Sequence, residues 1–140
     1  MRQPSGKVSL GSLLSLALLF GALYAGALFV PLYVDNLDVK EAVATAHNRA
    51  GQGADDTQLR NIILESTGRM GTHWEHDQFD RDFLVPGLGL QPEQISIERS
   101  TVTPRVHIWV DYARRVRFKP SSYVHTVNFR VEKEGIPGQP

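Results

Sequence analysis

GALYAGALFVPLYVDNLD, residues 21–38, is the stretch whose reading decides how the rest of the chain is organised. It opens inside an apolar run, holds Ala25-Gly26-Ala27 in the form of a signal-peptidase site, crosses Pro31 and ends in Asp35 and Asp38. The whole run, VSLGSLLSLALLFGALYAGALFVPLYV at residues 8–34, has 27 residues without a charge. A membrane-spanning helix needs about 20 such residues, whereas the apolar part of a signal peptide has about 7–15 and is then cut away. Cleavage after Ala27 would leave LFVPLYV as a new apolar N-terminus. A retained anchor accounts for those residues and a signal peptide does not, so residues 8–34 are expected to be a transmembrane helix.

The flanks set the orientation. Arg2 and Lys7 lie in the tail before the run, and Asp35 and Asp38 follow it. Basic residues stay on the cytoplasmic side. The expectation is a single-pass protein of the cytoplasmic (inner) membrane. Residues 1–7 form its cytoplasmic tail, 35–134 a periplasmic domain, and 135–140 (GIPGQP) a disordered end. Beyond the run lie 13 of the 15 basic side chains and all 15 acidic ones, a net charge of −2. That balance gives no electrostatic case for a nucleic-acid partner. The chain has no cysteine, which removes disulfides, thiolate catalysis and thiolate metal sites.

Within the run, Gly11, Ser15, Ala22 and Gly26 recur at helical spacing with Ala25 beside them. Such a small-residue stripe lets a second helix approach closely, that of another membrane protein or of another copy of this chain. Pro31 removes a backbone donor and is expected to kink the helix. Beyond it Val39, Ala42, Val43 and Ala46 predict an amphipathic helix over about 35–50, with Asp35 and Asp38 in its first turn. AGQG at 50–53 stops it.

DDTQLRNIILESTGRMG, residues 55–71, predicts a second helix of about 12 residues, capped at Asp55 or Asp56 and carrying Leu59, Ile62 and Ile63 on one face. Residues 72–94 have weak periodicity and several breakers, and are expected to be a long connector with a short strand near 82–85. The period then becomes two. ISIERS, RVHIWVDY and YVHTVNFRVE each alternate apolar and polar residues, as half-buried strands of an antiparallel sheet do. The order of helix, helix and three strands is α+β, with the helices covering the apolar sheet face.

A short basic tail with a Gly, one apolar helix running on into a soluble helix, and a small C-terminal antiparallel sheet resemble type IV pilin-like proteins. A closer likeness is to a family of small single-pass proteobacterial membrane proteins of pilin-like architecture. The shared features are P-x-Y at the outer end of the span, here Pro31-Leu32-Tyr33, and a strand ending in Tyr before a basic turn into a last strand with Phe, here VDYARRVRF…VNF. The resemblance implies architecture and no activity. A prepilin is cut after a Gly, and the fifth mature residue is usually Glu. Here Gly6 is followed by KVSLG, which places Gly11 at that position; this argues against a major pilin and leaves a minor or pseudopilin-like subunit as an alternative.

HWEHDQFDRD, residues 73–82, is the stretch richest in chemistry. His73, His76 and Asp77 are the candidate ligands if an ion is bound, since imidazole and carboxylate suit zinc. The two-His zinc-protease spacing is absent, and so are the Gly and terminal Glu of a calcium loop. A solvated acidic connector is the plainer reading, and no cofactor is expected. ARRVRFK, residues 113–119, adds Arg114, Arg115, Arg117 and Lys119 to Arg105; if extended, Arg115, Arg117 and Lys119 share a face fit for anionic headgroups or an acidic partner. The plainer reading is an edge strand guarded by charge. Trp109, on the polar strand face, is a further interaction candidate. No nucleophile elbow, phosphate-binding loop or dinucleotide fingerprint occurs. The expectation is a membrane-anchored structural or accessory protein that binds protein partners, with no enzymatic activity and no small-molecule substrate. The alternatives are a minor pilin-like subunit, or a metal-binding protein using residues 73–82.

Overall fold

The computed structural model describes residues 9–138. The tail expected at 1–7, with Gly6 and Lys7, and the last two residues of the expected disordered end lie outside them. A single helix, α1 (Leu10–Ala50, 41 residues), runs through almost a third of the chain. The Ser9 hydroxyl caps it, accepting the Ser12 N–H at 3.1 Å. The helix expected to begin again near Asp35 does not: α1 is unbroken through Pro31. Proline withdraws only one donor, and the next turn is pinned from outside, with Leu32 buried and Asp35 paired to Arg114. Asp35 is thus a mid-helix contact and not part of a new first turn.

The second half of α1 carries a buried stripe, Val39, Val43, Ala46 and Ala50, at helical spacing. Against it packs α2 (Asp56–Thr67), whose start is a capping box: the Gln58 N–H donates to Asp55 Oδ1 at 2.7 Å, and the Asp55 N–H to Gln58 Oε1 at 3.2 Å. Leu59 and Ile63 of α2 have no solvent exposure.

The expected long connector is in fact a hairpin, β1 (Thr72–His76) with β2 (Asp82–Pro86), antiparallel and paired Trp74 to Leu84. Its turn is made by Asp77, whose Oδ1 accepts the N–H groups of Phe79 at 2.8 Å and Arg81 at 2.9 Å. The base of the hairpin is tied to the end of α2 through the Leu88 N–H on Thr67 O at 3.1 Å. Gly87 (φ +91°) passes so close that a Cβ there would meet Gly68 O at 2.6 Å.

After a 3-10 turn at Pro92–Gln94 come β3 (Ile95–Arg99), β4 (Val106–Arg117) and β5 (Val124–Gly135), an antiparallel sheet in the order β3-β4-β5. Alternation decides which face is covered. Val106, Ile108, Val110, Tyr112 and Val116 of β4 are buried toward the helices, and Val131 of β5 pairs opposite Val110. The three-stranded α+β head expected from the sequence is therefore present, with the two-stranded hairpin added. β3 pairs only with Val106–Val110, so the last turns of β4 lack a strand partner on that side, and β1 lies beside them. At the far end, the buried His47 donates from Nε2 to Val106 O and Gly135 O at 3.1 and 3.2 Å, fastening α1 to the outer strand ends. β5 reaches Gly135, one residue past the boundary set between head and tail, and a Cβ on Gly51 would meet Pro137 at 2.8 Å.

Two outcomes test this core. Ile108→Ala deletes methylenes from a side chain with no solvent exposure and is expected to cost about 2–4 kcal/mol in urea unfolding. The Tyr112 hydroxyl donates to Asn36 Oδ1 at 3.0 Å, and burial pushes its phenol up to about 12. The stability it lends is full below the ordinary phenol value of about 10 and is lost as pH rises through the folded value. Phenolate absorbance should show one of the four tyrosines ionising well after an unperturbed phenol, and Tyr112→Phe should remove that late step.

Candidate functional site

The inward face of β4 holds one residue of the wrong kind. Arg114 follows Val110 and Tyr112 at period two and so turns toward α1, where it meets Asp35 with N···O 3.1 Å. Both side chains are nearly enclosed, at 11% and 14% exposure. Arg114 also donates to Thr72 O at 2.8 Å, which draws β1 onto the same place. Arg117 continues the arrangement: it pairs with Asp82 of β2, and its guanidinium lies 4.5 Å from the Trp74 ring centroid of β1. His76 Nδ1 reaches the same Asp82 at 2.5 Å. Helix α1, the β1–β2 hairpin and β4, which are distant in sequence, are thus joined by charge beside Pro31 and Leu32.

Around this junction lies a cleft of about 530 Å³ with Pro31, Leu32, Asp35, Trp74, Leu84 and Arg114 in its walls. A second groove of about 330 Å³ runs on along α1 toward its N-terminus, lined by Tyr24, Leu28, Leu32, Trp74 and Val116 and rimmed by Arg115, Arg117 and Lys119. Leu32, Trp74 and Arg115 belong to both. The lower groove is closed by a clasp. The Tyr24 hydroxyl donates to Lys119 O and accepts the Lys119 N–H, each at 2.9 Å. Phe118 stands between Tyr24 and Phe29, with ring centroids at 6.5 and 6.1 Å. The tip of the β4–β5 hairpin is therefore fixed to residues that belong to the apolar run.

The candidate ligands His73, His76 and Asp77 do not converge. His73 and His76 point to opposite faces of β1. Both His73 ring nitrogens face acceptors, Gly87 O at 2.8 Å and Glu75 Oε1 at 2.9 Å, while His76 serves Asp82. Asp77 is spent on its own turn; the backbone N–H of Arg81, with that of Phe79 and the Arg81 side chain, holds its carboxyl below the usual range. Among the described residues, no three His, Asp or Glu side chains are gathered as a metal site. The basic trio fares differently. Arg115, Arg117 and Lys119 do share one groove, with Arg117 internally paired and Arg115 and Lys119 exposed. Trp109 is not with them: it is half-buried on the outer sheet face, 4.7 Å from the His107 ring. Of the small-residue stripe, Gly11, Ser15 and Ala22 are exposed, and a Cβ on Gly26 would meet nothing within 4 Å.

Tyr24, Trp74 and the Asp35–Arg114 pair were not singled out by sequence pattern. The signal for the last was present: Arg114 keeps the parity of Tyr112 and Val116, and an inward arginine calls for a carboxylate. Gly71 serves that pair. At φ +60° it lies where a Cβ would be 2.5 Å from Asp35 Oδ2. Arg114→Leu leaves Asp35 enclosed and uncompensated and is expected to cost about 3 kcal/mol in urea unfolding. Gly71→Ala should destabilise in the same direction by displacing the carboxylate. The double variant Asp35→Leu/Arg114→Leu should recover most of the Arg114→Leu loss.

Comparison with protein-family models, with curated proteins and with solved structures finds no match to this chain, so what it does is argued from its own geometry.

Proposed function

We propose that this chain is a single-pass membrane protein in which α1 anchors a small extracytoplasmic α+β head, and that it works as a structural or accessory partner of other membrane proteins rather than as an enzyme. The observation that carries this is the division of one helix into two halves. The second half is the core of the head. The first half is apolar and bare: its most apolar 18-residue window has a mean hydropathy of 2.3 with none of it buried, and Leu18 and Phe20 are 69% and 62% exposed. Apolar surface of that extent requires a cover, and a bilayer supplies one. Retention is supported by the clasp, since cleavage after Ala27 would discard Tyr24 while Lys119 still needed it. A cytoplasmic N-terminus is supported by the basic tail before the run. A non-catalytic role is supported by the way the titratable groups of the cleft neutralise one another. The stripe of Gly11, Ser15, Ala22 and Gly26 offers its open side to a partner helix.

A pilin-like subunit of a filament or secretion machine is the second reading. What favours it is the same half-packed helix over an antiparallel sheet, since subunits could bury the bare halves against one another; Gly11 at the position of the assembly carboxylate speaks against it. The readings separate on processing. An accessory protein keeps Met1, and a filament subunit begins at Lys7 on N-terminal sequencing. For the anchor itself, the full-length product should stay with membranes through alkaline carbonate extraction, and a C-terminal alkaline phosphatase fusion should be active. A freely dissolved product, or a reporter active only in the cytosol, overturns it.

A further inference from the structure

The two grooves along α1 are continuous, and their position on the helix says what they face. A hydrocarbon layer of about 30 Å takes up about 20 residues of helix at 1.5 Å each. Counted from Leu10, where α1 begins, that length ends near Phe29. Tyr24 then lies about 8 Å inside the outer boundary, and Leu32 about 4 Å outside it. The lower groove, from Tyr24 to Leu32, straddles the boundary, and the upper cleft around Asp35 lies above it.

The lower groove is apolar on its wall and basic along its rim. Leu28, Leu32, Val116 and the Trp74 ring form the apolar wall of the lower groove. Its rim is basic. Asp35 is taken by Arg114, and Asp82 by Arg117 and His76. Arg115 and Lys119 are both exposed, and among the described residues neither forms an ion pair. Arg114, which lines the upper cleft, keeps Nη1 buried without an acceptor. An apolar trough that straddles the boundary, with two uncompensated cations along its rim, matches the shape and charge of one anionic lipid.

We infer that the groove between α1 and β1–β4 holds an anionic phospholipid of the outer leaflet. One acyl chain lies along Leu28 and Leu32 against Trp74, and the phosphate lies between the Arg115 and Lys119 side chains, the latter reaching outward from the level of Tyr24. This rests on α1 being the membrane anchor. The bound lipid joins the head to the bilayer at a second place beside the helix, next to the β4–β5 tip that the clasp holds at the membrane boundary. Aromatic rings and snorkelling basic side chains are suited to that depth.

The test uses the full chain carrying Trp109→Phe, which leaves Trp74 as the single tryptophan, reconstituted in phosphatidylcholine vesicles. Brominated phosphatidylglycerol is titrated in and compared with brominated phosphatidylcholine through quenching of Trp74. Each basic side chain at an anionic surface is worth about fivefold in binding. Phosphatidylglycerol should therefore half-quench at a mole fraction about twentyfold lower, and Arg115→Gln/Lys119→Gln should abolish that preference while quenching by phosphatidylcholine persists. Equal quenching by the two lipids, or a preference unchanged in the double variant, overturns the lipid site. So does absence of quenching by either lipid in protein that resists carbonate extraction, and that result leaves the anchor standing. Release of the protein by carbonate overturns the anchor, and the lipid site with it.

Discussion

Everything in this structure is hung on one helix that has to satisfy two different surroundings. From Leu32 to Ala50, α1 is the central strut of the α+β head, and its stripe of Val39, Val43, Ala46 and Ala50 is the surface on which both α2 and the sheet are assembled. From Leu10 to about Val30 the same helix offers apolar side chains all round, and apart from the contacts of Tyr24 and Phe29 with the β4–β5 tip, the described residues leave them bare. The small head depends on that strut. Remove the second half of α1, and the apolar face of β4 and the inner side of α2 lose their common partner, and a domain of this size has no second core to fall back on.

The junction between the two halves is where the charges are concentrated. Asp35 is the first charged residue after the apolar run, and it is met at once by Arg114; Asp82 and Arg117 repeat the pairing one level down. Burying such pairs contributes little net stability and mainly fixes geometry. Here they decide which turn of α1 lies beside β1 and β4. The aromatic clasp from Tyr24 to Lys119 extends that registry into the apolar segment.

The regular parts of the fold could be read from pattern because their residues obey a single period. The capped helix at 56–67 and the alternating strands of the sheet are of this kind, and so is the stripe on the second half of α1. The hairpin at 72–86 was legible only in part. Its β1 strand has Trp74 as its one large apolar side chain and is held by backbone pairing and by Asp77 in the turn, neither of which leaves an apolar period. Pro31 misled in the other direction, because a local breaker was overruled by tertiary contacts at Leu32 and Asp35. The basic group at Arg115, Arg117 and Lys119 was visible as composition. Its grouping with Trp74 and Tyr24 depends on contacts across more than 40 positions, which no local rule supplies.

The absence of a break at Pro31 has a mechanical consequence. A hinged anchor lets a head reorient freely, whereas a continuous rod makes it a lever. The segment from Val30 to Ala50 is about 30 Å long. A transmembrane helix leaning by about 20°, an ordinary value, swings the Ala50 end sideways by about 10 Å and carries α2 and the sheet with it. On the anchor reading, bilayer thickness or a neighbouring helix that alters the lean of α1 is reported directly in the direction the head faces.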